Sequence, residues 1–374
     1  MHSLEALIED SQRILRICNA CRYCEGFCAV FPALERRLEF NASDVHYLAN
    51  LCHNCGACYA ACQYAPPHEF NLNFPRQLAQ VRRQTYQAYA WPPALGALYQ
   101  RNGVAVSLVT ALCLALFLVG TAIYANPARF FAAHADSAGS FYAILPHGVM
   151  VSLFGAVGLY VVLAMAMSFL RFWPSLGESL ADAFRPGTLG EGVGDALRLK
   201  YLDGGGEGCP GGTPEKPLSR RAFHHLTFYG FLLCFASTSI ATLYHYGLGL
   251  KAPYPFWSLP VLLGTVGGVA LLAGTGGLVF LKHRMNPALR DPEQKGMEAG
   301  FLVLLFLTSL TGLLLLALRE TAAMGTLLAV HLGVVMALFL TLPYGKFMHA
   351  LYRLAALVRF HLERRRPLPK VAAE

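Results

Sequence analysis

The sequence predicts an all-α protein in two parts, a small soluble helical domain followed by a six-helix transmembrane bundle. Three observations predict it: a doubled cysteine run near the N-terminus, six long apolar segments beyond residue 103, and histidines gathered at the ends of those segments. With 374 residues, 55% hydrophobic and only 14% charged, the chain is too apolar for an ordinary soluble protein, and the excess lies almost wholly after residue 103. The expected division is a soluble domain with a membrane-interface segment at 1–103, a six-span domain at 104–344 with a cytoplasmic loop at 173–222, and a basic cytoplasmic tail at 345–374.

The first run is Cys18, Cys21, Cys24 and Cys28, and the second is Cys52, Cys55, Cys58 and Cys62. Each reads C-x2-C-x2-C-x3-C, a spacing that wraps three thiolates around one iron–sulfur cube and sends the fourth to a second cube. Two [4Fe–4S] clusters follow. By that crossing the first takes Cys18, Cys21, Cys24 and Cys62, and the second takes Cys52, Cys55, Cys58 and Cys28. Structural zinc prefers paired C-x2-C units or cysteine with histidine. An extracellular disulfide framework is disfavoured because MHSLEALIEDSQRIL is amphipathic and charged, without the apolar core of a secretion signal.

Around the cysteines, residues 3–20 and 42–50 are expected to be helical, with Ser43 or Asp44 capping the second segment. The residues between the runs lack a strand's alternating Val/Ile/Thr pattern, which favours an all-helical ferredoxin-like module. Residues 63–103 mix Phe70, Phe74, Tyr86, Tyr89, Trp91 and Tyr99 with arginines. Such a stretch suits the membrane interface or a protein partner, or is a plain linker.

Six segments can cross about 30 Å of hydrocarbon at about 1.5 Å per residue. They run from Val104 to Ala125, Gly148 to Phe172, Phe223 to Gly247, Phe256 to Leu281, Gly300 to Leu318 and Ala322 to Tyr344. The loops at 173–222 and 283–299 and the tail carry most of the Lys and Arg, whereas the outer loops offer only Arg129, Lys251 and Arg319. The positive-inside rule therefore places both chain ends in the cytoplasm of a multi-pass inner-membrane protein. The net charge of +8 is accounted for by these loops, and no aromatic-interleaved basic domain points to nucleic acid.

An ionisable side chain in a membrane is expensive unless it has a task. His331 and His349 are eighteen residues apart, five whole turns on one helix, so both rings are expected on one face about 27 Å apart. On the third span His224 and His225 stand at the inner end and His245 near the outer end, a separation of about 30 Å. Two facing helices holding imidazoles at two depths is how a bundle binds b-type haem. The expected pairs are His224 with His349 near the clusters and His245 with His331 near the outer face, for one haem or two. Helical angle favours His224 over His225. His147 and His283 compete as ligands, and each histidine alone is also readable as an interfacial residue reaching for water.

The stretches CRYCEGFC, CHNCGACYAAC and RRAFHHLTFYGFLLCFAST, with the six spans, resemble the tricarballylate-utilisation protein B family, also called CitB. The resemblance implies an iron–sulfur membrane protein that works beside an FAD-containing tricarballylate dehydrogenase and returns its electrons to the quinone pool. It leaves the substrate open among small carboxylic acids. The last four spans also look like the dihaem cytochrome b subunit of respiratory nitrate reductase, hence a cytochrome-b-like bundle. The chain is then wiring, with no substrate-dehydrogenating site of its own. The GEGVG run at Gly190 and the GGGEG run at Gly204 are read as loops, not a dinucleotide fingerprint, so flavin must come from a partner.

Among the remaining features, Cys209 is read as an exposed thiol, and Cys113 and Cys234 as packing residues. Glycines 264, 267, 268, 274, 276 and 277 allow close helix approach or leave room for a macrocycle. Paired carboxylates are absent from the spans, against a proton pump. Two other classes compete: a membrane thiol/disulfide reductase subunit, disfavoured by the lack of a CCG doublet, and a redox-sensing tricarboxylate carrier.

Overall fold

The computed structural model describes residues 4–125, 127–134, 138–202 and 218–367, and among them the fold is all-α. The longer helices are α1 (Leu4–Cys21), α2 (Ala42–Leu51), α3 (Phe74–Tyr89), α4 (Asn102–Tyr124), α5 (His147–Ser175), α6 (Pro186–Leu197), α7 (Leu218–Leu248), α8 (Leu259–Arg284), α9 (Lys295–Leu318), α10 (Met324–Thr341) and α11 (Met348–Arg364). Cys209, Lys216 and the GGGEG run lie outside the described residues.

The soluble domain is built on amphipathic helices. In α1 the buried positions Leu7, Ser11, Ile14 and Leu15 recur at helical spacing and face α3 and α2. Helix α2 is capped by Asn41, whose side chain accepts from the Asp44 N–H at 2.9 Å while the Asp44 carboxylate accepts from the Asn41 N–H. The cap is thus Asn41, not Ser43 or Asp44; Asp44 closes the box from inside, and the Ser43 hydroxyl donates to the Ser175 carbonyl. The stretch 63–103 is no plain linker. Phe74 stacks on Phe31 and Tyr86 on Tyr352, so these aromatics are core.

Among the described residues six helices are long and apolar enough to cross a membrane, which marks a multi-pass membrane protein. Their outward faces are apolar: Leu108, Leu112, Leu116, Val119 and Ile123 form an exposed stripe on α4, as a lipid solvent requires. Helix α7 lies along α8, α8 packs on α9, α9 on α10, and α10 on α4 and α5. The α7–α8 contact is close because glycines face it. A Cβ on Gly274 would sit 2.5 Å from the Thr227 nitrogen, and one on Gly267 would sit 2.8 Å from the Gly230 carbonyl oxygen. Those glycines therefore serve helix approach, whereas Gly276 faces open space.

The sixth span does not continue to His349 as one helix. It ends at Thr341, followed by a 3-10 turn over Leu342–Tyr344 and an extended Gly345. Pro343 has no N–H to continue the ladder. The freed Pro343 carbonyl accepts the Tyr99 hydroxyl at 2.8 Å, which makes the break tolerable at membrane depth.

Beyond the break, the described part of the segment expected to be a tail, 345–367, is packed. Helix α11 is buried from Ala355 to Glu363 and packs on α6, α2 and α5. Arg37 and Arg359 both pair with Asp44 and with Glu363, and both lie over the Tyr47 ring, at 5.0 and 4.3 Å. Arg366 pairs with Glu178 at 2.6 Å. The GEGVG run is likewise not a loop: it lies inside α6, where a Cβ on Gly192 would meet Val358 at 2.9 Å and where Glu191 and Asp195 reach His361. Glycine there admits the backbone of α11, and the acids bind it.

Candidate redox centres

The cysteines are positioned by three short reversals. Cys18 and Cys21 lie on the last turn of α1, Cys52 ends α2, and Cys58 sits on the turn Ala57–Ala60. Between them Arg22, Asn54 and Gly56 take positive φ (52°, 53° and 84°), turning the chain so that successive thiols face inward. Gly56 has a second reason: a Cβ there would lie 2.6 Å from Leu289 in the loop between α8 and α9.

Two hollows result. The first is lined by Cys18, Cys21, Cys24 and Cys62, the second by Cys28, Cys52 and Cys55, and Cys58 borders both. Three thiols of each run thus stand with the fourth of the other. Burial, then Cys62 and Cys21, push the Cys24 thiol up to about 12; burial, then Cys55 and Cys52, raise Cys28. Such crowded thiols ionise only when a metal takes their charge. Among the described residues no three His, Cys, Asp or Glu converge on a single ion. A lone zinc would draw its sulfurs to about 2.3 Å from one centre; thiols spread around a hollow fit a polynuclear group.

The second hollow faces the bundle. Asn54 donates to the Leu289 carbonyl at 3.4 Å, and Arg220 at the start of α7 donates to the His53 and Asn54 carbonyls at 2.9 and 3.3 Å. Arg353 of α11 donates to the Cys52 carbonyl at 2.8 Å, as does Arg82 of α3. Sequence reasoning missed these arginines as site residues. The available signal was spacing: Arg220 stands one turn before His224 and Arg353 one turn after His349.

The histidines separate into three places. His224 and His349 come together at the inner end, ring centroids 6.2 Å apart. The His349 Nδ1–H donates to the Lys346 carbonyl at 2.5 Å, leaving Nε2 as a free acceptor, while His224 Nδ1 is buried without a hydrogen-bond partner. His225 turns instead toward Tyr229. At the outer end His245 stacks on His147 at 3.8 Å and lies 3.4 Å from the Tyr142 hydroxyl. His331 faces α9, its Nδ1 3.0 Å from the Thr311 hydroxyl, which itself donates to the Leu307 carbonyl. His245 and His331, expected as a ligand pair, are not brought together: α9 lies against His331, and α5 brings His147 to His245. At the inner ends of the spans one carboxylate, Glu298, sits between Lys282 and Lys346.

Over residues 98–370 the chain matches the family described as citrate utilization protein B, and over residues 11–88 the one described as the citrate utilization protein B Fer4-like domain. It is similar to citrate utilization protein B of Escherichia coli, 52% identical over 358 residues that cover 96% of this chain and 93% of that protein. No solved structure matches it.

Proposed function

The chain belongs to the citrate utilization protein B family, and from that premise we propose that it is a membrane electron-transfer subunit. In this reading it accepts electrons from a partner FAD-containing dehydrogenase and delivers them to quinone in an inner membrane, with both chain ends cytoplasmic. The family name speaks of citrate and the motif resemblance of tricarballylate; both are small polycarboxylates, which is the substrate class we assign to the partner.

When bound, iron–sulfur clusters and haem take up and release electrons one at a time. The protein's part is to hold them. Cys18, Cys21, Cys24 and Cys62 would hold one [4Fe–4S] cluster, and Cys28, Cys52, Cys55 and Cys58 the other. His224 and His349 would hold a b-type haem. Two imidazoles that share one metal have to be brought close to each other. The observed 6.2 Å between His224 and His349 is the observation that carries this reading. Donation from His349 Nδ1 to the Lys346 carbonyl supports it, since that bond sets the tautomer that presents Nε2.

The test is spectroscopic. His224→Ala or His349→Ala should remove most of a reduced-minus-oxidised b-type band, whereas His225→Ala keeps it; an unchanged band in the first two would refute the haem assignment. Cys55→Ser should abolish one low-potential paramagnetic signal.

A further inference from the structure

Arg82, Arg220 and Arg353 converge on the loop that carries Cys52 and Cys55. Arg82 is 3% exposed and donates to the Ala49 and Cys52 carbonyls, both at 2.8 Å. Arg353 shares the Cys52 carbonyl, and Arg220 takes those of His53 and Asn54. Among the described residues none of the three pairs with a carboxylate. Carbonyls satisfy their N–H groups but not their charge. The C-terminal end of α2 offers about half a negative charge, against three full positive ones.

Buried cations without a counter-ion are costly, so the site is built for an anion. A cluster held by four thiolates is one, and it gains a further unit of negative charge on taking an electron. Neither hollow is lined by these arginines; they hold the loop behind the second, whereas at the first the exposed Arg22 donates to the Asn19 carbonyl at 3.1 Å and the exposed Gln63 to the Cys21 sulfur at 3.7 Å.

We propose that Arg82, Arg220 and Arg353 are positioning residues that balance the charge of the second thiolate set and make it the more readily reduced of the two. This rests on the two-cluster reading above. It also sets a direction: the first site, lined by the N-terminal domain alone, is where electrons enter, and the second, tied by Arg220 and Arg353 to the helices of His224 and His349, is where they leave toward the bundle.

The test is a redox titration of the full chain in detergent, followed by the paramagnetic signals of the reduced clusters. In the wild type the two midpoints should differ. Arg353→Gln and Arg220→Gln should each make the higher-potential centre at least about tenfold harder to reduce, ~59 mV for one electron, with the other unmoved, and Arg353→Lys should keep the wild-type value. Gln63→Arg, an exposed change beside Cys21, should raise only the lower-potential centre. The proposal fails if the glutamine variants leave both midpoints in place or move the lower one, or if Gln63→Arg moves the higher. A wild type without two cluster signals would overturn the functional reading itself; two signals indifferent to the arginines overturn only this inference.

Discussion

His46 shows how tightly single side chains in the soluble domain are held. It is buried, its Nδ1 2.8 Å from the Thr85 hydroxyl and its ring edge-on to Tyr89, and burial pushes its imidazole down to about 4. Its folded form binds a proton less readily than its unfolded form, so domain stability should be flat above pH 6.5. It should fall by up to about 3 kcal/mol as pH drops from 6.5 to 4. Hydrogen exchange of α2 amides over that range would read the slope, and His46→Gln should flatten it. Legibility differs among the candidate ligands at this scale. The cysteine spacing was readable because thiols within a few residues are brought together by local turns. Among the histidines, the inner pair was readable from depth along two helices, but the outer partners were not: what stands beside His245 and His331 depends on which helix packs there, and no periodicity carries that.

The C-terminal helix joins the two halves of the protein through ionic contacts. Glu363 and Asp44 together neutralise Arg37 and Arg359, which flank the Tyr47 ring, so Glu363→Ala leaves two buried cations to one carboxylate. The expected cost is about 3 kcal/mol or more, seen as earlier thermal unfolding of the soluble domain and as protease cleavage near Gly345. Restoring polarity with Glu363→Gln should recover only part. The α7–α8 pair offers a steric counterpart. Gly274→Val places atoms where Thr227 and the Phe223 carbonyl already stand, and should destabilise the bundle in detergent by about 1–3 kcal/mol. Gly276→Ala, with nothing within 4 Å, should be near neutral. Helix α11 was legible as basic residues but not as a buried element, because its partners Asp44, Glu178 and Asp195 lie far away in sequence. The helical GEGVG run was hidden for a related reason: glycine argues against a helix until a second helix needs its space.

At the scale of the whole molecule, the soluble domain sits at one end of the bundle, and the segments expected to be positive gather there. Asn54 meets Leu289, Arg83 pairs with Asp291, and Arg36 donates to the Arg366 carbonyl. The six spans were legible from length and apolarity alone, with ends off by a few residues. The break after Thr341 was foreshadowed only by Pro343 and Gly345. In the function proposed above, this assembly is one route: from a hollow walled by the N-terminal domain, through a second hollow held by arginines of α7 and α11, to the imidazoles beside them. The most direct trial puts the full chain in bilayer discs with quinone, the flavoprotein dehydrogenase proposed as its partner and a polycarboxylate substrate, and follows quinol formation. Quinol should form with the intact chain and drop at least about a hundredfold with Cys55→Ser. Equal quinol formation with that variant, or with the flavoprotein alone, would contradict the account.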